Sequence, residues 1–336
     1  MERKLKPLYF FGDFDPINQG LLDLARKEHE RTGRPIVFAP LPAEKMDDTD
    51  ASDEDRIAML NIVLEGEPSF SIDDSFIKKD QAGIDLEEPM IWCPANRRPF
   101  MSDEDFRDRT EICLDPDVVR YKRVSLRESD CRVGRRFIEI EGVRDYIEKK
   151  RLYYVGSLAK ALNSEHRLEH SISVAHLCYE IALSNKYPDP EDAYIAGLFH
   201  DCGKHWDEKK SQEIMERHFK DWISYPKWTY HQFVGYWFAA TQFEIGNPLV
   251  FEAIGQHATG APAMKTLSKI VYAADKIDPL RGYDSTAMIK KCKKDIEKGF
   301  VMVLRENRKY LTKKGYKVDN PMTKECFAYY LGVKKK

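Results

Sequence analysis

Nine histidines occur in the chain, and eight of them lie between positions 166 and 257. In EHRLEHSISVAHLCYEIALS, His170, Val174, Leu177 and Ile181 recur at helical spacing, which puts His170 on an apolar stripe. Val250, Ala253, Ile254 and His257 repeat the pattern in NPLVFEAIGQHA. His200 and Asp201 close the apolar helix of EDAYIAGLFHDCGK just before Gly203. Asp275 ends the apolar run KIVYAAD, and His231 begins the aromatic stretch HQFVGYWFA. A single histidine on an apolar face is ordinarily a satisfied core residue. Several imidazoles and two carboxylates at the inner ends of apolar helices are different, because burying them without partners costs on the order of several kcal/mol. A shared cation supplies the partner and keeps the carboxylates ionised, so these residues predict a metal site.

The elements that must position these groups change character along the chain. PLYFFG at 7–12 and IVFAP at 36–40 read as strands, with GLLDLARKEHER at 20–31 a helix between them. A strand, helix and strand in so short a span predict a βαβ unit in a parallel sheet. Residues 44–55 are acidic and read as a solvated loop. A helix follows over 55–64, SFSIDDSFI alternates like a strand, residues 80–135 are broken by prolines, and a helix over 142–151 closes this half. From 152 onward only helices are predicted: 152–162, 166–184, 191–202, 229–243, 248–258, 266–278 and 286–308. Asn247-Pro248 is a helix start, with an N-cap followed by a proline at the first helical position. The expected organisation is therefore an α/β, Rossmann-like domain over 1–150 and an all-α domain over 151–336.

Composition bounds the partners. There are 54 basic and 56 acidic residues, a formal charge of -2, which gives no support for coating a nucleic-acid polymer. No apolar run approaches the ~18 residues of a membrane span, and the stretch PLYFF is too short for a secretory core. Seven cysteines are scattered with no CxxC pair, as expected of reduced thiols in a cytoplasmic protein.

The order His170, His200-Asp201, His231, His257, Asp275 resembles the HD-domain metallophosphohydrolases. HRLEHSISVA, AGLFHDCGK, QHATGAPAM and SKIVYAADKIDPLR look like successive blocks of the YqeK-type branch, across roughly 152–330. That branch hydrolyses diadenosine tetraphosphate (Ap4A) symmetrically to two ADP. The resemblance implies that His170, His200, Asp201, His231, His257 and Asp275 ligate two divalent cations, with Asp201 bridging. Iron is the expected metal, and manganese or zinc would suit the same donors. Such a pair lowers the pKa of a bridging water and holds phosphoryl oxygens for in-line attack. Fixed positive charge is also needed where charge develops on the leaving phosphate. Lys204 and Arg281 are the candidates, and His205 is a weaker one. His166, His176 and His218 read as structural, and Trp206, Trp222, Trp228 and Trp237 as core.

PLYFFGDFDPINQGLLDLA resembles the nicotinate mononucleotide adenylyltransferases, whose first strand leads into G-S-F-D-P-x-H-x-G-H. Gly12, Phe14, Asp15, Pro16 and Gly20 match that pattern, but Asn18 and Leu21 stand where it has histidines that contact ATP phosphates. DRIAMLNIVLEGEPSFSIDDSFIKK resembles that family's next block and EGVRDYIEKKRLYY its closing helix. VSLRESD is a worn form of its late phosphate motif, with Asp130 at the arginine position. The expectation is a degenerate nucleotidyltransferase-like domain ahead of a working HD hydrolase acting on a dinucleoside polyphosphate or another nucleotide. The competing readings are a bifunctional enzyme that also makes the dinucleotide, an HD nucleotidase or phosphatase, and a nucleotide-sensing scaffold. A homodimer is the assembly considered.

Overall fold

The computed structural model describes residues 5–42, 50–78, 89–92, 104, 108, 110–113, 140–162, 164–242, 247–315 and 320–332. They fall into two compact units that part after Gly156.

The first unit is built on a parallel sheet. Strands β1 (Leu8–Gly12), β2 (Ile36–Pro40), β3 (Phe70–Ile72), β4 (Met90–Trp92) and β5 (Thr110–Cys113) lie in the order β3-β2-β1-β4-β5. β1 and β2 run in register from Leu8 opposite Ile36 to Gly12 opposite Pro40. Central parallel strands are covered on both faces and so read as continuous apolar runs; Leu8, Phe10, Phe11, Ile36, Phe38 and Ala39 are fully buried. Helix α1 (Gln19–Thr32) starts at Asn18, whose Oδ1 accepts from the Leu21 amide at 3.1 Å. It stops at Gly33, whose left-handed φ of 68° a side chain would resist. Helix α2 (Asp53–Leu64) opens with a reciprocal capping box between Ser52 and Asp55. The predicted strand over SFSIDDSFI is corrected: only Phe70–Ile72 is extended, and the short helix α3 (Ser75–Lys78) follows. The Asp73 carboxylate accepts from the Ser75 amide, a local turn that competes with strand extension. Helix α4 (Glu141–Lys150) packs with α2, and Tyr146 donates to Asp55 at 2.8 Å. The VSLRESD segment lies outside the described residues.

The second unit is helical. Helix α5 (Tyr153–Leu162) starts in the first unit and runs into the second, whose further α-helices among the described residues are α6 (Glu165–Ser184), α7 (Pro190–Phe199), α8 (Glu208–His218), α9 (Tyr230–Gln242), α10 (Pro248–Gln256), α11 (Thr266–Ile277), α12 (Thr286–Lys294), α13 (Ile296–Lys313) and α14 (Pro321–Leu331). α6, α7, α10 and α11 form its centre, and α11 is the most deeply set, with Leu267, Ile270, Val271, Tyr272, Ala273 and Ala274 fully buried. The helix predicted over 286–308 is two helices. Asp295 is extended at φ -163°, and its carboxylate caps α13 by accepting from the Lys298 amide. The helix predicted over 191–202 ends at Phe199, so His200 and Asp201 sit in the turn beyond it. No helix among the described residues is long and apolar enough to cross a membrane.

Candidate metal centre

Five helices deliver the charged and imidazole groups to one place. His170 comes from the buried stripe of α6, where Val174, Leu177 and Ile181 fill the core. His200 and Asp201 leave the end of α7. His231 stands in the first turn of α9, His257 follows the last residue of α10, and Asp275 lies near the end of α11. His200, Asp201, His257 and Asp275 are each 3% exposed or less.

The imidazoles are oriented by a common device. The Nδ1 of His200 meets the Gly197 carbonyl at 2.6 Å, that of His257 the Ile254 carbonyl at 2.7 Å, and that of His231 the Trp228 carbonyl at 2.9 Å. A carbonyl only accepts, so each Nδ1 carries a proton, and in the neutral ring the Nε2 lone pair faces the cluster. His170 is set differently. Its Nδ1 donates to Asp278 Oδ2 at 2.6 Å, and the other oxygen of Asp278 accepts from Ser173 Oγ at 2.5 Å.

The lone pairs converge. Nε2 of His231 and Nε2 of His257 are 3.2 Å apart. Asp201 Oδ1 is 3.2 Å from His257 Nε2 and 3.7 Å from His231 Nε2, while its Oδ2 is 3.6 Å from His200 Nε2. Asp275 Oδ1 is 3.4 Å from His170 Nε2 and 3.7 Å from His200 Nε2. Three overlapping sets have donor atoms all within 4.8 Å of one another: His170, His200 and Asp201; His200, His257 and Asp275; and Asp201, His231 and His257. Nε2 of His200 and Oδ1 of Asp201 are buried with no hydrogen-bond partner. Buried acceptors that face one another are costly unless a cation lies among them, so this donor set fits a metal.

The electrostatics of the bare site follow from burial and neighbours. Burial holds His200 down at about 4 against the pull of Asp201 and Asp275, and burial with the adjacent His257 holds His231 down at about 3. Burial would also lower His170, but hydrogen bonds to Asp275 and Asp278 raise it to about 9. Asp201 and Asp275 lie well below the usual carboxylate range: burial, which raises them, is outweighed by His200, His257 and Lys204 for the first and by Lys276, His170 and Arg281 for the second.

An open cavity of about 440 Å³ covers this cluster, lined by His166, Arg167, His170, Asp201, Lys204 and Arg281 among others. Lys204 Nζ reaches Asp201 Oδ2 at 2.8 Å, and Arg281 bonds both the carboxylate and the carbonyl of Asp275. His205 packs near the Trp206 ring, with centroids 6.2 Å apart, and does not line the cavity. His176 packs edge-on to Tyr194, and His218 lies against Trp237. The core expectation for the tryptophans is corrected at Trp228, which is 59% exposed in a short turn that buries Thr229 instead.

Sequence reasoning passed over several groups. Arg167 lines the cavity one helical turn before His170, a spacing that could have revealed it, and His166, which the sequence reads as structural, lines it too. Asp278 orients His170 from the Asp-Pro step that reads simply as a helix stop. Gln232, fully buried beside His231, accepts from the Thr259 amide at 3.2 Å and donates to its hydroxyl at 3.0 Å, which ties α9 to the turn after His257.

Comparison with known proteins finds an HD domain over the span that contains these residues. The family model "HD domain" matches residues 167–280. A protein of Mycoplasma pneumoniae named "Probable nicotinate-nucleotide adenylyltransferase/Ap4A hydrolase" is 24% identical over 89% of this chain and 98% of its own. A protein of Bacillus subtilis named "Bis(5'-nucleosyl)-tetraphosphatase, symmetrical" is 26% identical over 50% of this chain and 89% of its own. A solved structure from Clostridium acetobutylicum, described as a "predicted HD superfamily hydrolase involved in NAD metabolism", is 30% identical over 52% of this chain and 94% of its own, with a TM-score of 0.48.

Proposed function

We propose that the HD domain of the helical unit is a metal-dependent phosphohydrolase that splits Ap4A, or a closely related dinucleoside polyphosphate, symmetrically into two ADP. The observation that carries this is the convergence of unprotonated Nε2 atoms and carboxylate oxygens with His200 Nε2 and Asp201 Oδ1 left unpartnered. The printed names of the relatives supply the substrate.

His170, His200, Asp201, His231, His257 and Asp275 would hold two divalent cations. Asp201 suits the shared position, because its two oxygens face different imidazoles. Iron is our choice of metal, and these donors would also take manganese or zinc. Bound there, the cations supply an activated water and polarise the phosphoryl oxygens.

The chain's own part is electrostatic and positional. Lys204, Arg281 and Arg167 set fixed positive charge around the cavity, where negative charge grows on the departing phosphate. Water adds to an inner phosphorus, the bridging P–O bond breaks, and ADP leaves from each side. We assign the enzyme to the cytoplasm; Cys178, Cys202, Cys292 and Cys326 are free and buried, as suits thiols kept reduced.

The test is product analysis on metal-loaded protein. ADP is expected as the sole early nucleotide. Equal early AMP and ATP would place the attack at an outer phosphate and refute the symmetrical reading. Rapid phosphate release from AMP would favour a nucleotidase. A second reading, a bifunctional enzyme, is favoured by the compound name of the Mycoplasma relative, which matches 89% of this chain.

A further inference from the structure

A second cavity, of about 600 Å³, opens beside the first, and Arg281 lines both. Its volume lies within the ~300–1,000 Å³ of small-molecule sites. The cavity is polarised. Lys276 and Arg281 mark one end, each paired to Asp275 of the cluster. The rest is lined by Tyr283 and Asp284 from the turn after Gly282, by Met288 of α12, and by Val303, Glu306, Asn307 and Tyr310 on one face of α13, so two carboxylates stand beside the aromatic rings.

Two features of this wall are unusual for a surface with only a packing role. Tyr283 and Tyr310 leave 47% and 54% of their surface in solvent, next to the charged pair. The polar groups behind them are fixed. Tyr283 donates its hydroxyl proton to the Lys276 carbonyl, and Asn307 Nδ2 donates to the buried Tyr272 hydroxyl at 2.8 Å. Aromatic faces held beside a cationic end match one kind of ligand well: a flat base at one end of a phosphate chain. Stacking on such faces tolerates any base, while the cations fix the phosphate end.

We propose that this second cavity seats one nucleoside of the substrate. The base lies against Tyr310 and Tyr283, and its phosphates run past Lys276 and across Arg281 to the cavity over the metal cluster. Arg281 is then the shared wall that turns two separate cavities into one elongated nucleoside-oligophosphate site. The proposal rests on the nucleotide reading above and adds the subsite that distinguishes a nucleoside phosphate from a bare phosphate chain.

The experiment is calorimetric titration of the metal-loaded full-length protein with ADP and, separately, with inorganic pyrophosphate. Tyr310→Ala should weaken ADP binding about tenfold and leave pyrophosphate unchanged, the scale expected for one lost stacking contact. Tyr310→Phe should bind ADP like the parent protein. With Ap4A as substrate, Tyr310→Ala should raise KM about tenfold and keep kcat within about twofold. Unchanged ADP binding in Tyr310→Ala, or an equal loss for ADP and pyrophosphate, would overturn the subsite. The two readings fail separately. Tyr310-dependent ADP binding without Ap4A hydrolysis would sink the proposed reaction and leave the subsite standing. Hydrolysis to two ADP with no effect of Tyr310→Ala would do the reverse.

Discussion

At the scale of single residues, the proposed metal centre depends on groups outside its proposed ligand set. Asp278 is fully buried and spends both oxygens on His170 and Ser173. Its carboxylate fixes the tautomer and ring angle of His170, the role that outer partners commonly take toward ligating histidines. Asp278→Ala should therefore cost about 10–100-fold in metal affinity while the fold persists, measured by metal titration beside circular dichroism. An unchanged affinity would remove Asp278 from the site. The same contacts set a pH dependence. With its pKa raised from 6.5 to about 9, His170 binds a proton more tightly in the folded, metal-free protein than in the unfolded chain. Its contribution to metal-free stability is fully present below about pH 6.5 and is lost as pH rises through about 9. A metal must displace that proton, whereas His200 and His231, at about 4 and about 3, are already neutral near pH 7. Metal uptake near pH 7 should release about one proton that is missing in His170→Gln, as read from calorimetry in buffers of different ionisation enthalpy. Equal proton release by both proteins would contradict the assignment. The six proposed ligands could be picked out in the sequence because each sits on, begins or ends an apolar or aromatic helical stretch, in an order that resembles the HD domains. Asp278, Gln232 and Thr259 could not, because the pairings that define them join residues distant in the chain.

At the scale of elements, the site depends on how closely helices approach. A Cβ at Gly203 would lie 2.2 Å from the His231 carbonyl and 2.7 Å from the Gly235 amide nitrogen, both of them backbone. The turn carrying His200 and Asp201 thus touches α9 directly, and this contact sets the separation of Asp201 from His231. Gly203→Ala has no flexible side chain to displace, so it should push α9 away from the turn. The expected result is loss of part of the bound metal and about tenfold or more in rate, with the helical signal retained, since small displacements of catalytic groups are costly. Full metal content and turnover would show that the contact has slack. The sequence pattern located α6, α7 and α9–α11 because their buried faces are strongly periodic. It missed α8, where Glu208, Lys209, Lys210, Glu213, Glu216 and Arg217 leave only Ser211, Ile214 and Met215 buried. It also missed α14, whose buried positions are Thr323, Cys326 and Phe327. It fused α12 with α13 because apolar spacing runs across Asp295, and only the backbone turn there separates them.

At the scale of the whole molecule, two units of different construction share one chain, and their chemistry has diverged. β1 and β2 were legible as continuous apolar runs. β4 and β5 were not, since each is short and set among prolines and charges. The end of β1 and the loop before α1 hold Gly12, Phe14, Asp15 and Pro16 of the adenylyltransferase-like pattern, but Asn18 and Leu21 stand at its histidine positions. Asn18 uses its Oδ1 to cap α1, and its Nδ2 is buried without a partner. Leu21 is fully buried in the core of this unit, so no ordinary motion brings it to a phosphate, and its side chain could donate nothing there. Adenylyl transfer needs donors on the phosphates as charge moves to the leaving pyrophosphate. Each lost donor typically costs about 10²–10³ in rate, and here two positions are changed. Full-length protein should therefore make no nicotinate adenine dinucleotide from ATP and nicotinate mononucleotide at a useful rate, although weak nucleotide binding can survive in the retained turn. The measurement is a coupled assay for the dinucleotide, run on Asp201→Ala so that the helical unit cannot hydrolyse product. Turnover near about one per second, an ordinary enzymatic rate, would mean that other residues replace the lost histidines. The sheet unit would then be a second working enzyme, and the compound name of its Mycoplasma relative would describe both halves of this chain.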